Sequence, residues 1–412
     1  MKRLDTNILS RFSQYAENAI EEENPTAQML TRSGKRVIRL NIGDPAKFFP
    51  TPKYMVDAYI NALKEGKTGY CDPEGILELR EAVSNRYKRI YNVDVNPNDG
   101  TFITHGVSEA LIFLNSILVN PGDRAVMFKP YYAVCYSGFR VFGGEPIFQE
   151  YQEDREWDVD TDDLDRKIKA AKKDGKVVKY LMVTNPSNPT GMVLDRNVIE
   201  RIADIANNND LVLISDEIYD EVVYNGAKFT SISQIAKGIP HIIFNGASKD
   251  LDATGFRIGF VVVPGDDAVS KVLKKSIYDF CAIRLCASTP AQYAVTEGIN
   301  NIIEHRKSID YFIREIEDRA NFASKMINDS DYMHVIPPRG AYYLFPKLDM
   351  EKLDLENDKD FVHKLLEEEG VLLTRGSGFG GEDHVRLVAL PPKETLARAI
   401  EKIDRFCSRH SK

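Results

Sequence analysis

The sequence predicts an α/β fold, with a large domain whose mostly parallel central sheet is covered by helices and a smaller α+β domain beside it. Three observations predict it. Between Thr101 and Val263 short β-branched and aromatic runs alternate with helical patterns, as parallel strands joined by crossover helices do. Strands such as Val178 to Val183 and Leu211 to Ile214 end in polar, Pro-rich or acidic segments, and open α/β sheets bind ligands at such carboxyl ends. After Val263 the pattern turns to long helices and then short β-type runs. This tail needs an N-terminal strand to complete it, so the large domain is expected over residues 53–294 and the small one over 1–52 and 295–412.

In chain order, a helix is expected over Ile8 to Glu22 and a strand over Val37 to Ile42, stopped by Gly43-Asp44-Pro45. Lys53 to Glu65 places Val56, Tyr59, Ile60 and Leu63 on one helical face, with Gly66 just past its end as a left-handed cap. A second helix, Gly75 to Tyr91, follows an exposed loop that carries Tyr70. Strand Thr101 to Thr104 runs into a helix opening at Gly106-Val107-Ser108, whose first backbone donors favour an anion. Ala125 to Phe128 is the next strand, broken by Pro130-Tyr131-Tyr132. The turn Asn185-Pro186-Ser187-Asn188-Pro189-Thr190-Gly191 excludes both helix and strand and can hold an asparagine side chain rigidly. The later helices are expected over Asp266 to Leu285, over Pro290 to Ile327 with a break near Asn300, and over Lys393 to Cys407. Short strands are expected at Ala341 to Phe345, Val371 to Thr374 and Val385 to Leu390.

Composition narrows the function. A 412-residue chain with net charge −8 carries no basic footprint for nucleic acid, which leaves small molecules as the expected partners. No apolar run approaches a membrane span, and the basic start has no apolar block after it, so a cytoplasmic location is expected. The five cysteines form an odd, scattered set without a CxxC pair, which points to reduced thiols and against a structural zinc.

The chemistry centres on Asn245-Gly246-Ala247-Ser248-Lys249, a loop between two buried-strand patterns, with Arg257 eight positions further on. Two cations in one loop region repel unless an anion lies between them, which suggests phosphate. A desolvated lysine beside another cation has a depressed pKa, and the free amine can then condense with an aldehyde. Ser108, Tyr132, Asn188, Asp216, Tyr219 and Ser248 stand at or just beyond the ends of successive strands. Singly, each has a plain structural role open to it, as a helix cap, a core aromatic or a turn stabiliser. Together, a lysine, a carboxylate, an anion-binding loop, an arginine and an aromatic are what a pyridine aldehyde phosphate requires.

From about Val37 to Arg409 the sequence resembles the class I/II aminotransferases of fold type I, which use pyridoxal 5'-phosphate. Asn188-Pro189-Thr190-Gly191, Asp216-Glu217-Ile218-Tyr219, Ser248-Lys249 and Gly255-Phe256-Arg257-Ile258-Gly259 stand in that family's order and spacing. The resemblance implies that Lys249 forms the Schiff base and that Asp216 pairs with the protonated pyridine nitrogen. It implies that Asn188 and Tyr219 bond the ring oxygen, that Tyr132 stacks on the ring, and that Val107, Ser108, Ser248 and Arg257 hold the phosphate. Arg386, in His384-Val385-Arg386-Leu387, is implied to clamp the substrate α-carboxylate, with Asn188 beside it and Gly43 closing over it. Tyr70 is implied to reach the phosphate of a neighbouring subunit, making the active unit a homodimer.

Further strings resemble the alanine aminotransferases of archaea and bacteria, among them Asn41-Ile42-Gly43-Asp44-Pro45-Ala46-Lys47-Phe48 and Gly376-Ser377-Gly378-Phe379-Gly380. The implied reaction is a ping-pong exchange between L-alanine and 2-oxoglutarate, giving pyruvate and L-glutamate. The chain departs from the pattern at Gly246, where many relatives carry a phosphate-binding serine although the alanine branch shares the glycine, at Asp250 and Asp252 beside the lysine, and at Arg339. Arg284 or Arg339 is a candidate for a distal carboxylate. An aspartate, aromatic or branched-chain aminotransferase, a carbon-sulfur lyase, and a cofactor-binding sensor without catalysis are the alternatives on the same fold.

Overall fold

The computed structural model describes residues 13–16 and 18–412. Helix α1 (Asn24–Arg32) and strand β1 (Ile38–Arg39) lead to helices α2 (Lys53–Lys64) and α3 (Leu77–Tyr91). Then come β2 (Thr101–Thr104), α4 (Gly106–Leu118), β3 (Arg124–Lys129), α5 (Ala133–Val141), β4 (Glu145–Gln152), β5 (Asp158–Val159) and α6 (Thr161–Lys173). The middle of the chain supplies β6 (Val178–Thr184), α7 (Arg196–Asn208), β7 (Val212–Asp216), α8 (Ile232–Ile235), β8 (His241–Gly246) and β9 (Gly259–Val262). Helices α9 (Ala268–Arg284), α10 (Thr289–Asn300) and α11 (Ile302–Asn328) follow, then β10 (Met333–His334), β11 (Tyr343–Leu344) and β12 (Lys347–Leu348). The chain closes with α12 (Asp358–Glu369), β13 (Val371–Leu372), β14 (Thr374–Arg375), β15 (Val385–Val388) and α13 (Lys393–Arg409).

Eight strands form one sheet in the order β2-β9-β8-β7-β6-β3-β4-β5. From β8 through β4 every neighbouring pair is parallel, while β9 runs antiparallel to both its neighbours and β5 runs antiparallel to β4. The central parallel strands β3, β6, β7 and β8 are buried along almost their whole length, as strands covered on both faces must be. Their carboxyl ends lie along one edge: Thr184 of β6 sits opposite Asp216 of β7, and Asp216 opposite Phe244 of β8. A second core gathers Leu40, Phe312, Tyr342, Leu365, Leu387 and Phe406 from both ends of the chain. There β1 pairs in parallel with β13, which ties the N-terminal strand to the tail as expected.

Three expectations need adjustment. Of the helix expected over Ile8 to Glu22, residues 1–12 and 17 lie outside the described residues, and the rest holds only a 3-10 turn at Ser13–Tyr15 and further turns. A helix forms at Asn24–Arg32, where Pro25 in the first turn loses no hydrogen bond. On α2, Val56, Ile60 and Leu63 are exposed while Met55 and Ala62 are buried, so the apolar stripe faces outward. The expected boundary at residue 294/295 falls inside α10, whose Val295 and Ile299 pack into the core of the large sheet. The chain breaks at Asn301, whose side chain accepts from the Glu304 N–H and starts α11, as the expected interruption near Asn300 implied. Among the described residues no helix is long and apolar enough to cross a membrane.

Candidate active site

The carboxyl edge of the sheet opens onto a cavity of about 330 Å3. It is lined by Gly43, Val107, Ser108, Tyr132, Asn188, Asp216, Tyr219, Ser248, Lys249, Arg257 and Arg386, every site residue expected from the sequence except Tyr70. Tyr70 is 83% exposed on the surface of the chain.

One end of the cavity is an anion cup built by glycines. Gly106 opens α4 with φ +72°, and a Cβ there would stand 2.5 Å from Arg257 Nη2. A Cβ on Gly259 would lie 2.6 Å from the Gly106 carbonyl carbon and 2.8 Å from the Val107 nitrogen. A Cβ on Gly246 would lie 2.8 Å from Gly259 Cα and from the Ile258 oxygen. The backbones of β8, β9 and the start of α4 therefore touch, and the unpaired N–H groups of the first helical turn sit beside Arg257. Arg257 itself has φ +55° and donates from Nη1 to the Thr254 carbonyl at 3.1 Å. The same packing explains the departure at position 246, because a serine there presses on two backbone atoms of the next strand.

Lys249 donates from Nζ to the Gly43 carbonyl at 2.7 Å. Burial pushes its amine below the ordinary lysine value, with Arg386 and Arg257 adding to the effect and Tyr343 and Asp44 opposing it. Asp216, 2% exposed, accepts from the Ile218 N–H at 3.2 Å. Burial raises its carboxyl to about 7, against that N–H and the Lys249 charge. The Tyr219 and Tyr343 hydroxyls share a hydrogen bond of 2.8 Å.

Arg386 is 1% exposed. Its Nη1 donates to Asn188 Oδ1 at 2.9 Å and its Nη2 to the Asn41 carbonyl, while the Tyr343 and Phe379 rings each lie 4.6 Å from the guanidinium carbon. These partners are neutral, so a buried cation points into the cavity with hydrogen-bonding reach but no countercharge. A cup of backbone donors with an arginine, a buried carboxylate, a buried amine and an aromatic side wall fit the parts of pyridoxal phosphate.

Several residues of the cavity carry no clear sequence signal. Tyr343 reads as one more aromatic of a buried strand, and only the fold brings its hydroxyl to Tyr219. Thr254, which donates to Asp44 Oδ1 at 2.6 Å, and the segment with Ile20 and Glu21 also line the cavity. The two arginines considered for a distal carboxylate do not. Arg284 is taken up by Glu109 at 2.7 Å and by the Pro73 and Ile103 carbonyls, and the Arg339 backbone is bonded to Gly191 and Tyr224. Asp250 and Asp252 are buried behind the lysine loop, outside the cavity.

The profile of the family described as aminotransferase class I and II matches residues 35–403. The alanine aminotransferase of Mycobacterium tuberculosis is 33% identical over 386 residues, covering 92% of this chain and 87% of that protein. The (5-formylfuran-3-yl)methyl phosphate transaminase of Methanocaldococcus jannaschii is 36% identical over 386 residues, covering 93% and 95%. The solved alanine aminotransferase of Pyrococcus furiosus superposes with a TM-score of 0.91 at 36% identity, covering 97% of this chain and 100% of that one. The chain thus belongs to the class I and II aminotransferases, and it is a transaminase that works with pyridoxal 5'-phosphate.

Proposed function

We propose that this transaminase exchanges an amino group between L-alanine and 2-oxoglutarate, releasing pyruvate and L-glutamate in two half-reactions at one site. The observation that carries the reading is Arg386, a buried fork of donors without a countercharge, facing the same cavity as the Lys249 amine. A guanidinium matches a carboxylate bidentately, and every substrate and product of the exchange has an α-carboxylate. Ile20 and Ile42 line the cavity as well and suit a methyl side chain. The alanine aminotransferases among its relatives support alanine as one substrate, and the glutamate-pyruvate aminotransferase of Escherichia coli, 32% identical over 388 residues, supports glutamate and pyruvate.

When bound, pyridoxal phosphate would supply the carbonyl that takes up the amino group and a ring that draws electrons from the α-carbon. The chain's own groups divide the remaining work. The α4 N-terminus with Val107, Ser108, Ser248 and Arg257 would hold the phosphate. Tyr132 would flank the ring, Asn188 and Tyr219 would donate to its oxygen, and Asp216 would accept from its protonated nitrogen. Lys249, with its amine pushed toward the neutral form, would hold the cofactor's carbonyl end and accept the substrate's α-proton at Nζ. Arg386 and Gly43 orient the carboxylate so that the α-hydrogen faces Lys249.

We read residues 53–294 as the large domain, extended to Asn300 by the packing of α10, and the two chain ends as the small one. The exposure of Tyr70 and the outward apolar face of α2 support a homodimer in which Tyr70 reaches the partner's phosphate. A cytoplasmic location agrees with five unpaired cysteines.

The test is to add single amino acids to the holoprotein and follow conversion of the cofactor to its amino form, then to reverse it with single oxo acids. L-Alanine, L-glutamate, pyruvate and 2-oxoglutarate should react, and Lys249→Ala should bind cofactor without reacting. Failure of L-alanine and L-glutamate overturns the substrate pair, and turnover by Lys249→Ala overturns the site. Preference for the phosphorylated furan aldehyde would favour the second reading suggested by the Methanocaldococcus relative, and release of pyruvate and a thiol from cystathionine would indicate a lyase.

A further inference from the structure

Behind the cavity lies a buried ionic cluster that the reaction described above does not use. Arg86 of α3 is 3% exposed, and its Nη2 donates to Asp220 Oδ1 at 2.9 Å while Nη1 stands 2.8 Å from Oδ2 as a charge contact without hydrogen-bond geometry. Nη2 also meets Glu221 Oε2 at 3.0 Å and Asp250 Oδ2 at 3.4 Å. Tyr91 donates to Asp220 at 2.5 Å, and His305 of α11 pairs with Glu221 at 2.9 Å. Glu221, Asp250 and His305 bring ligand-type atoms within 4.8 Å of one another, but the guanidinium contacts both carboxylates and already supplies the cation there.

The sequence positions of these carboxylates are what matters. Asp220 and Glu221 directly follow Tyr219, and Asp250 directly follows Lys249. Both pairs sit in tight turns, closed by Val222 N–H to the Tyr219 carbonyl at 2.8 Å and by Ala253 N–H to the Ala247 carbonyl at 3.1 Å. In each turn one side chain enters the cavity and its neighbour is held from behind, since neither Arg86, Asp220, Glu221 nor Asp250 lines the cavity. We propose that Arg86 is a positioning residue, whose guanidinium anchors the turns carrying Lys249 and Tyr219 through Asp250 and Asp220 and so fixes how both side chains enter the cavity. The inference rests on Lys249 and Tyr219 being the cofactor groups.

A lysine at position 86 keeps the charge but cannot span two carboxylates with a fork. Holoenzyme of Arg86→Lys should lose about tenfold or more in kcat, with KM for L-alanine changed by less than about threefold, as expected when orientation and not binding is lost. The pH at which the bound-cofactor absorbance changes band should move by about half a unit or more, because it reports the surroundings of the Lys249 nitrogen. Asp250→Asn, which keeps the side-chain shape, should move the band in the same direction and decides the matter if Arg86→Lys yields no folded protein. A folded Arg86→Lys with lower thermal stability but unchanged kcat and unchanged band position overturns the proposal, as does Asp250→Asn with an unchanged band position. Lys249→Ala separates the two levels: a pH-dependent band retained in that variant defeats the assignment of Lys249, whereas its loss alongside unaltered Arg86 and Asp250 variants defeats only the role of Arg86.

Discussion

Adding one methyl group at Gly259 should loosen the cofactor while leaving the chain folded. A Cβ at this position stands 2.6 Å from the Gly106 carbonyl carbon and 2.8 Å from Gly106 Cα and the Val107 nitrogen, all backbone atoms. Ordinary contact begins near 3.4 Å, so the start of α4 must retreat by about 0.6–0.8 Å. Overpacking of this kind costs about 1–3 kcal/mol, which for a chain of this length lowers Tm by about 1–4 °C. The phosphate cup takes up the same displacement. A hydrogen bond of roughly 2.9 Å stretched by that amount is close to lost, and each charge-assisted bond is worth about 1.5–3 kcal/mol. Gly259→Ala should therefore weaken pyridoxal phosphate binding by about 10- to 100-fold, measured by titrating apoprotein and following the cofactor absorbance. Gly255→Ala is the control, since a Cβ there meets nothing within 4 Å in the same segment. Equal cofactor affinity in the two variants refutes the account of the glycine-built cup.

Two further outcomes follow from buried groups. Arg386→Lys should raise KM for L-alanine and L-glutamate by about 10- to 100-fold, since one charge-assisted bond of about 1.5–3 kcal/mol is lost with the fork, and steady-state kinetics with an unchanged KM refutes the carboxylate clamp. Asp252 is raised by burial from its ordinary 3.8 to about 8, so as pH rises from about 4 to 8 the unfolded chain gives up this proton before the folded one and stability declines. Asp252→Asn mimics the neutral acid and tolerates the φ of +49°. Its Tm advantage over the parent should be small near pH 4 and widen toward pH 8, and an advantage that does not vary with pH refutes the assignment.

Much of the fold was legible because strand and helix periods are local properties. The runs at Thr101–Thr104 and Gly106–Leu118 form at those limits, and the interruption near Asn300 is capped by the neighbouring Asn301. The outward face of α2 shows where periodicity stops informing. An apolar stripe says that something covers it, and cannot say whether that is the chain's own core or a second copy. The start of α1 at Asn24 has a local reason, the proline in its first turn.

The site divides in the same way. Lys249, Asp216, Asn188, Tyr219 and Arg257 were identifiable because each stands beside a turn or a strand end whose chemistry is written within a few residues. Composition and order along the chain sufficed to place them at one edge of a parallel sheet. Tyr343 at the Tyr219 hydroxyl, the contact of Gly259 with Gly106 and the fork of Arg86 behind two turns join residues 124, 153 and 134 positions apart. The sequence by itself determined the reaction type and the family of groups that perform it, since residue type and local order carry that chemistry. Only the tertiary structure decided which backbones touch to form the phosphate cup, which arginine is left without a countercharge and which one is consumed in holding the turns, because distance and burial depend on packing between segments far apart in the chain.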